Sequence, residues 1–157
     1  SAKNAPFIIL GLSMGGAATL KAIEHEPGLC DALIIDSTYA HMDKTLSKVF
    51  TAKSNLPSFL FFPIVKHMFH YIGKCNMHAM QPADMVKNIT QPILFIHSCD
   101  DTYIPPKNSV ELYANAHNKK SQLWIGPSCR HGWLHSYHSN QYKQAVSTFL
   151  KQTLVTT

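Results

Sequence analysis

The chain is 157 residues long, with 45% hydrophobic and 15% charged residues, a balance typical of one globular domain and not of a disordered segment. Its formal net charge is +5, but the 14 lysines and arginines form no long run, which argues against a nucleic-acid partner. The sequence also lacks the roughly 18 unbroken apolar residues of a membrane span and any recognisable signal peptide.

The chain has four cysteines, which are widely spaced along it: Cys30, Cys75, Cys99 and Cys129. Because none of them forms a C-x-x-C pair, a zinc ribbon or a redox motif is not expected. Reduced thiols are the default for such spacing, and we therefore expect a cytoplasmic protein.

Apolar runs and helical patterns alternate along the chain. Strands are predicted at 6–12, 31–37, 92–98 and 121–127, and helices at 14–26, 82–88, 106–117 and 140–152. The first strand is apolar on both faces and is expected to be buried. This alternation predicts parallel βαβ units, and therefore an α/β fold of three layers with a mainly parallel sheet of about four strands.

Residues 41–81 break this rhythm, because they carry helical, aromatic-rich sequence without a strand. Forty residues exceed what a simple crossover needs. We interpret the segment as a helical cap inserted within a single domain of residues 1–157.

The stretch GLSMGG follows the first predicted strand and leads into the first predicted helix. Gly11-x-Ser13-x-Gly15 in that context predicts a nucleophile elbow, in which a strained turn exposes the serine hydroxyl. Glycine is expected at both places because larger side chains would collide across so tight a turn. The N–H of Met14, at the helix N-terminus, is then a candidate oxyanion donor. The alternative is that Ser13 merely caps the helix.

A nucleophilic serine needs an acid and a base, and candidates for both follow later strands. Asp100 and Asp101 follow the third predicted strand in the stretch HSCDDTYIPP. His131, His135 and His138 follow the fourth, and His131 is nearest the strand end. The three histidines lie in a predicted loop with no carboxylate nearby, so the sequence favours catalysis over a metal site.

These motifs together resemble the C-terminal part of an α/β hydrolase, in the branch of bacterial esterase-like and serine-aminopeptidase-like enzymes. The matching residues are Gly11 to Gly16, Asp36-Ser37, 92–97, Asp101 to Pro105 and His131-Gly132. The family pattern D-x-x-[VI]-P implies that Asp101 is the acid, and the spacing to the last helix implies that His131 is the base. Asp36 stays an alternative acid because some hydrolases carry it after that earlier strand.

The resemblance further implies that the first half of the fold, with the loop that supplies a second oxyanion donor, is missing before Ser13. The strand at 7–12 would then have an open edge, and we expect self-association of the chain through it.

The expected activity is that of a serine hydrolase that cleaves carboxylic esters or amides through a Ser-His-Asp triad and an acyl-enzyme, without a cofactor. The alternatives are a serine peptidase of the aminopeptidase-like type and a non-catalytic hydrolase-like binding module.

Large apolar side chains in the cap suggest an apolar acyl group on the substrate. Most of them are interpreted as core residues that pack the cap on the sheet, with a few lining an acyl pocket: Phe59, Phe61, Phe62, Met68, Phe69 and Tyr71. Association of the cap with a membrane surface is less favoured, since Pro57 and Pro63 interrupt a continuous amphipathic helix.

Overall fold

The computed structural model describes residues 5–54, 57–72, 74 and 80–154. Four strands within these ranges form one parallel sheet in the order β1-β2-β3-β4. The strands are β1 (Ile8–Leu12), β2 (Ala32–Asp36), β3 (Ile93–Ser98) and β4 (Gln122–Gly126). The predicted α/β class and the parallel sheet of about four strands are therefore confirmed.

Helices connect the strands and cover both faces of the sheet. They are α1 (Met14–His25), α2 (Met42–Ser54), α3 (Ser58–Tyr71), α4 (Pro82–Met85), α5 (Lys107–Asn115), α6 (Leu134–Tyr137) and α7 (Ser139–Leu154). Short 3₁₀ turns follow α1 at Pro27–Leu29 and α4 at Val86–Asn88. The predicted element order is observed, with boundaries that differ by one or two residues at most ends.

The two central strands, β2 and β3, are buried along their whole length. Successive side chains point to opposite faces, so the two strands contribute to two separate apolar clusters. Leu33 and Phe95 belong to the cluster under α1, α4 and α5, whereas Ile34 and Ile96 belong to the cluster under α7. The sheet is thus the middle of three layers.

The first strand is less buried than its sequence predicts. Phe7 and Leu10 are 61% and 53% exposed, and Leu12 is also exposed. The physical reason is that β1 lies at the edge of the sheet: it pairs with β2 on one side, and no described strand pairs with it on the other. An apolar groove between β1 and α7 adjoins this edge, lined in part by Ile8, Leu10 and Leu150.

We predict that two copies of the chain associate through the open edge of β1. An exposed apolar edge offers unpaired backbone groups to a second copy, and lysine on such an edge opposes pairing. We expect Leu10→Lys to shift the chain toward monomer in sedimentation velocity, whereas Val110→Lys, on an exposed position of α5, should not. A wild-type chain that sediments as a monodisperse monomer would contradict the prediction.

The segment predicted as a cap contains α2 and α3, while residues 55, 56, 73 and 75–79, including Cys75, lie outside the described residues. Pro63 lies inside α3, so this helix continues through a proline that was expected to interrupt it. Pro57 directly precedes the helix, where proline is tolerated.

The interpretation of the cap aromatics as mostly core is wrong. Phe62 is 7% exposed and packs with Met42 and Ile104, but Phe59 is 82% exposed. The remaining large apolar side chains of α3 are partly or largely exposed, because this helix packs mainly against α2 on one side. Over the described ranges, no helix has both the length and the apolar character needed to cross a membrane.

Candidate active site

Ser13 lies between the end of β1 and the start of α1. Its backbone takes φ 52° and ψ −118°, a region that costs a non-glycine residue about 1–3 kcal/mol. Two hydrogen bonds hold this turn: the Ser13 N–H donates to the Asp36 carbonyl at 2.8 Å, and the Thr38 hydroxyl donates to the Ser13 carbonyl at 3.0 Å. The neighbouring strand and the loop after it therefore support the strained serine.

At the elbow, glycine is required for steric reasons at positions 11 and 16. A Cβ at Gly11 would lie 2.6 Å from the Gly16 Cα, and a Cβ at Gly16 would lie 1.9 Å from the Thr38 Oγ1. The expectation that Gly15 is required for the same reason is wrong, since a Cβ there meets no atom within 4 Å outside its own helix. Gly15 is exposed, whereas Gly16 faces the loop after β2.

His131 follows β4, the strand at the opposite edge of the sheet from β1, and its side chain contacts the serine. Its Nε2 is 2.9 Å from the Ser13 Oγ, and its Nδ1 is 2.6 Å from the Asp101 Oδ2. The next residue, Gly132, has φ 72°, which lets the loop turn back against Leu12. The structure thus brings together the three residues to which the sequence assigned nucleophile, base and acid.

Asp101 is buried at the start of the loop after β3. Its Oδ1 accepts hydrogen bonds from the N–H groups of Tyr103 and Ile104, both at 2.9 Å. Burial alone would raise the pKa of Asp101, but hydrogen bonds from His131, His97 and the Ile104 N–H outweigh it. The pKa of this carboxyl is therefore well below its usual value, and Asp101 is ionised at neutral pH.

The two alternative acids do not contact His131. Asp100 is exposed and accepts a hydrogen bond from the Ser128 hydroxyl at 3.2 Å. Asp36 is buried, with its carboxyl oxygens bound by the hydroxyls of Ser37 and Tyr142. Both alternatives are therefore replaced by Asp101 as the carboxylate that contacts this imidazole.

The two other histidines of the loop and the following helices point elsewhere. His135 is exposed on α6 and stacks near the Trp133 ring, with 6.5 Å between ring centroids. His138 lies next to the Ser128 carbonyl, 3.2 Å from its Nε2. Neither forms a hydrogen bond with Ser13, and the described residues contain no group of three or more ligands that could hold a metal ion.

Met14 begins α1, so its N–H has no partner within the helix and lies beside Ser13. The Met14 side chain is 68% exposed. The Tyr103 ring packs on the other side of the site, 5.1 Å from the His131 ring between centroids. Cys99 and Cys129, in the neighbouring loops, are free thiols.

Asp36 has an unusual environment for a carboxyl group without a cationic partner. Burial raises the pKa of Asp36, and the hydrogen bonds from Ser37 and Tyr142 offset part of this effect. A raised folded-state pKa means that stability is lost as pH rises from the unfolded value, about 3.9, through the folded value. Burial and the nearby Asp36 carboxylate also raise the pKa of the Tyr142 hydroxyl.

Tyr142→Phe removes one of these two donors, and we expect it to lower the free energy of unfolding by about 1.5–3 kcal/mol at neutral pH. The loss should shrink as pH falls, because a protonated Asp36 needs the donor less. Urea unfolding at about pH 3.5 and about pH 7 checks this, because the lower pH lies below the usual pKa of an aspartate, about 3.9. Tyr137→Phe, on an exposed residue, is the control; an equal loss at both pH values would contradict the assignment.

The sequence match to known proteins extends over almost the whole chain. The profile of the prolyl oligopeptidase family, peptidase family S9, matches residues 3–157. The chain belongs to the prolyl oligopeptidase family. Among its relatives, the uncharacterized protein YqkD of Bacillus subtilis is 32% identical over 143 residues, which are 90% of this chain and 47% of YqkD.

Solved structures share the fold of this family member. An esterase of Pyrococcus furiosus matches with a TM-score of 0.68 and 23% identity, covering 94% of this chain and 53% of the esterase. An acylaminoacyl peptidase of Pyrococcus horikoshii matches with a TM-score of 0.66 and 20% identity. The match covers 99% of this chain and 25% of the peptidase. The α/β-hydrolase fold expected from the resemblance is confirmed.

The chain spans about half the length of the curated relatives it matches, 47% of YqkD and 48% of the YfhR proteins of Salmonella. The described part of this prolyl oligopeptidase family member contains the Ser13, Asp101 and His131 side chains. The activity of the whole protein is therefore a matter for proposal.

One buried residue at the site was missed by the sequence analysis. His97 is fully buried in β3, and its Nε2 is 3.3 Å from the Asp101 Oδ2. The signal was available, because His97 is a histidine within an otherwise apolar buried strand, four residues before the predicted acid. A polar side chain in such a strand needs a specific partner.

Proposed function

We propose that this chain carries the catalytic residues of a serine hydrolase that cleaves carboxylic esters through an acyl-enzyme. The observation that supports the proposal is the unbroken series of hydrogen bonds from the Ser13 Oγ through His131 to Asp101. All three residues follow the carboxyl ends of parallel strands, the edge at which open α/β sheets bind their ligands.

Proton positions follow from the partners of the imidazole. The ionised Asp101 carboxylate only accepts hydrogen bonds, so the His131 Nδ1 carries the proton that it donates. The Nε2 of a neutral imidazole is then an acceptor, and the Ser13 hydroxyl donates to it. This tautomer is the one that a general base for serine needs.

The proposed reaction has two halves. As the Ser13 Oγ attacks the ester carbonyl carbon, its proton passes to the His131 Nε2, and the imidazolium is stabilised by Asp101. The same proton then goes to the leaving alcohol oxygen as the C–O bond breaks, which leaves an acyl ester on Ser13. Water, deprotonated by His131, then attacks the acyl carbon. The bond from that carbon to the Ser13 Oγ breaks as His131 returns the proton to this oxygen, which releases the carboxylic acid and the free serine.

Negative charge that develops on the carbonyl oxygen needs donors. The Met14 N–H and the N-terminus of the 12-residue helix α1 are proposed for this role. A second donor comes, by the resemblance, from a loop in the other half of the complete fold. Loss of one oxyanion donor typically costs about 10²–10³ in kcat, so a chain extended to the length of the curated relatives is expected to be more active than this chain alone.

A peptidase is the second candidate function. Membership of the prolyl oligopeptidase family and the similarity to an acylaminoacyl peptidase favour it. Esterase and lipase neighbours favour the ester substrate, which we place first, with an apolar acyl group as predicted from the cap. The same three residues would serve either reaction, because both proceed through an acyl-enzyme.

Labelling by a fluorophosphonate tests whether the site is catalytic at all. We expect covalent modification of Ser13 in the wild type, located by mass spectrometry of the labelled peptide, and none in Ser13→Ala or His131→Ala. The reagent should be applied both to this chain and to a chain extended to the length of the curated relatives. Absence of labelling in both would refute the hydrolase proposal and favour a binding module.

Paired substrates test the choice between ester and peptide. Nitrophenyl esters of short and long acyl chains should be compared with aminoacyl and peptidyl nitroanilides, both for this chain and for the extended chain. Ester turnover with a preference for longer acyl chains is expected. A higher kcat/KM for the nitroanilides would replace the esterase proposal with the peptidase.

A further inference from the structure

His97 lies one residue before the end of β3 and has no solvent exposure. Both of its ring nitrogens have partners. Nε2 is 2.7 Å from the Ile104 carbonyl oxygen and 3.3 Å from the Asp101 Oδ2, and Nδ1 is 2.6 Å from the Ser109 Oγ. Since Ser109 is buried in α5, this imidazole joins the strand, the loop after it and the next helix.

The partners assign the protons of this ring. A carbonyl oxygen only accepts, so Nε2 carries a proton and donates it to the Ile104 carbonyl, with the Asp101 Oδ2 at 3.3 Å from the same nitrogen. The Ser109 hydroxyl can then donate to Nδ1, which leaves the imidazole neutral. A neutral ring suits its surroundings, because an additional charge in a fully buried place would cost desolvation energy.

We propose that His97 is a positioning residue for the acid of the proposed triad, and that Ser109 holds it in the tautomer this role requires. The protonated Nε2 of His97 lies 3.3 Å from Oδ2 of Asp101, the same oxygen that accepts the hydrogen bond from His131. The role rests on the proposed function, since Asp101 is useful as an acid only if Ser13 is a nucleophile.

The two carboxylate oxygens of Asp101 are held by different groups, and this explains why a residue such as His97 is needed. The backbone N–H groups of Tyr103 and Ile104 restrain Oδ1, but they leave the carboxylate free to tilt about that oxygen. His97 restrains Oδ2 from the side of β3, and so directs it toward the His131 Nδ1. A misplacement of a catalytic group by about 1 Å can cost 10²-fold in rate.

A second consequence concerns ionisation. The hydrogen bond from His97 is among the contacts that keep the pKa of Asp101 low. Its removal should raise that pKa, but a carboxyl whose pKa starts well below its usual value stays ionised at the pH of the assay. The loss of His97 is therefore expected to act on kcat through the position of Asp101 and not through its charge.

His97→Leu keeps an apolar side chain of similar volume and removes the donor. We expect kcat to fall about 10- to 100-fold with little change in KM. His97→Gln can place an amide N–H close to the position of Nε2, and should recover part of the lost kcat. Ser109→Ala, which removes the partner of Nδ1, should give a smaller loss of kcat than His97→Leu.

Ile96→Val is the matched control, because Ile96 is equally buried in β3 but packs in the cluster under α7. It should lower stability modestly and leave kcat unchanged. If His97→Leu does not fold, His97→Gln and Ser109→Ala carry the test through the same measurements of kcat and KM.

Wild-type kcat in the folded His97 and Ser109 variants would overturn the positioning role. So would a loss of kcat that His97→Gln does not partly recover, or one accompanied by an equal rise in KM, since a merely structural role predicts those results. Failure of the proposed function looks different: the wild-type protein would then show no fluorophosphonate labelling at all.

Discussion

Ser13→Ala is expected to lower kcat for ester hydrolysis by about 10⁴- to 10⁶-fold, with substrate binding largely retained. The Ser13 hydroxyl is the group that attacks in the proposed reaction, and it is held 2.9 Å from the His131 Nε2. Alanine removes the nucleophile but leaves the turn, because the bonds that support it involve the Ser13 backbone.

Steady-state kinetics of this chain, and of a chain extended to the length of the curated relatives, would measure the effect. Ser147→Ala is a matched control, since Ser147 is an exposed serine on α7, away from the site. His131→Ala should lose activity to a similar degree, and the double variant should lose little more, because the residues act as a unit. Full activity in Ser13→Ala would contradict the mechanism, whatever the behaviour of the control.

Gly16→Ala should unfold the protein more easily, whereas Gly15→Ala should not. A methyl group at Gly16 would lie 1.9 Å from the Thr38 Oγ1, and Thr38 is fully buried. Such overpacking costs about 1–3 kcal/mol, which exceeds the gain of about 1 kcal/mol from replacing glycine by alanine in a helix. Displacing Thr38 would also weaken its hydrogen bond to the Ser13 carbonyl, so activity should fall too.

Gly15 provides the internal comparison, because it belongs to the same helical turn and has open space around it. Gly15→Ala should be neutral or up to about 1 kcal/mol more stable in urea unfolding. Equal destabilisation by Gly15→Ala and Gly16→Ala would contradict this prediction. It would show that both glycines are required by the turn itself and not by the contact with Thr38. A double variant with Thr38→Ala should lose less stability than the sum of its single changes if the clash is the cause.

The sequence alone was sufficient for the order of strands and helices. Continuous apolar runs such as 31–37 and 92–98 identify buried parallel strands without any tertiary information. The GLSMGG stretch identifies the elbow in the same way, because its strain is local to one turn between a strand and a helix. These features depend on residues close together in the chain.

Features that depend on distant residues were decided only by the tertiary structure. Ser13 and His131 are 118 residues apart in sequence, and the sheet brings their side chains to 2.9 Å. Asp100 and Asp101 have the same side chain, so the sequence cannot choose between them. The fold chooses, because Asp101 contacts His131 and Asp100 contacts Ser128 instead.

The same reason explains the two errors that concern packing. Gly15 and Gly16 look alike in sequence, but Thr38, from the loop after the neighbouring strand, comes into contact with Gly16 alone of the two. Phe62 and Phe59 belong to one apolar stretch, yet Phe62 is buried against Met42 and Ile104 whereas Phe59 is 82% exposed. Local sequence therefore determined the elements and the elbow of this protein, while contacts between distant segments decided its acid, its required glycines and the buried partner of Asp101.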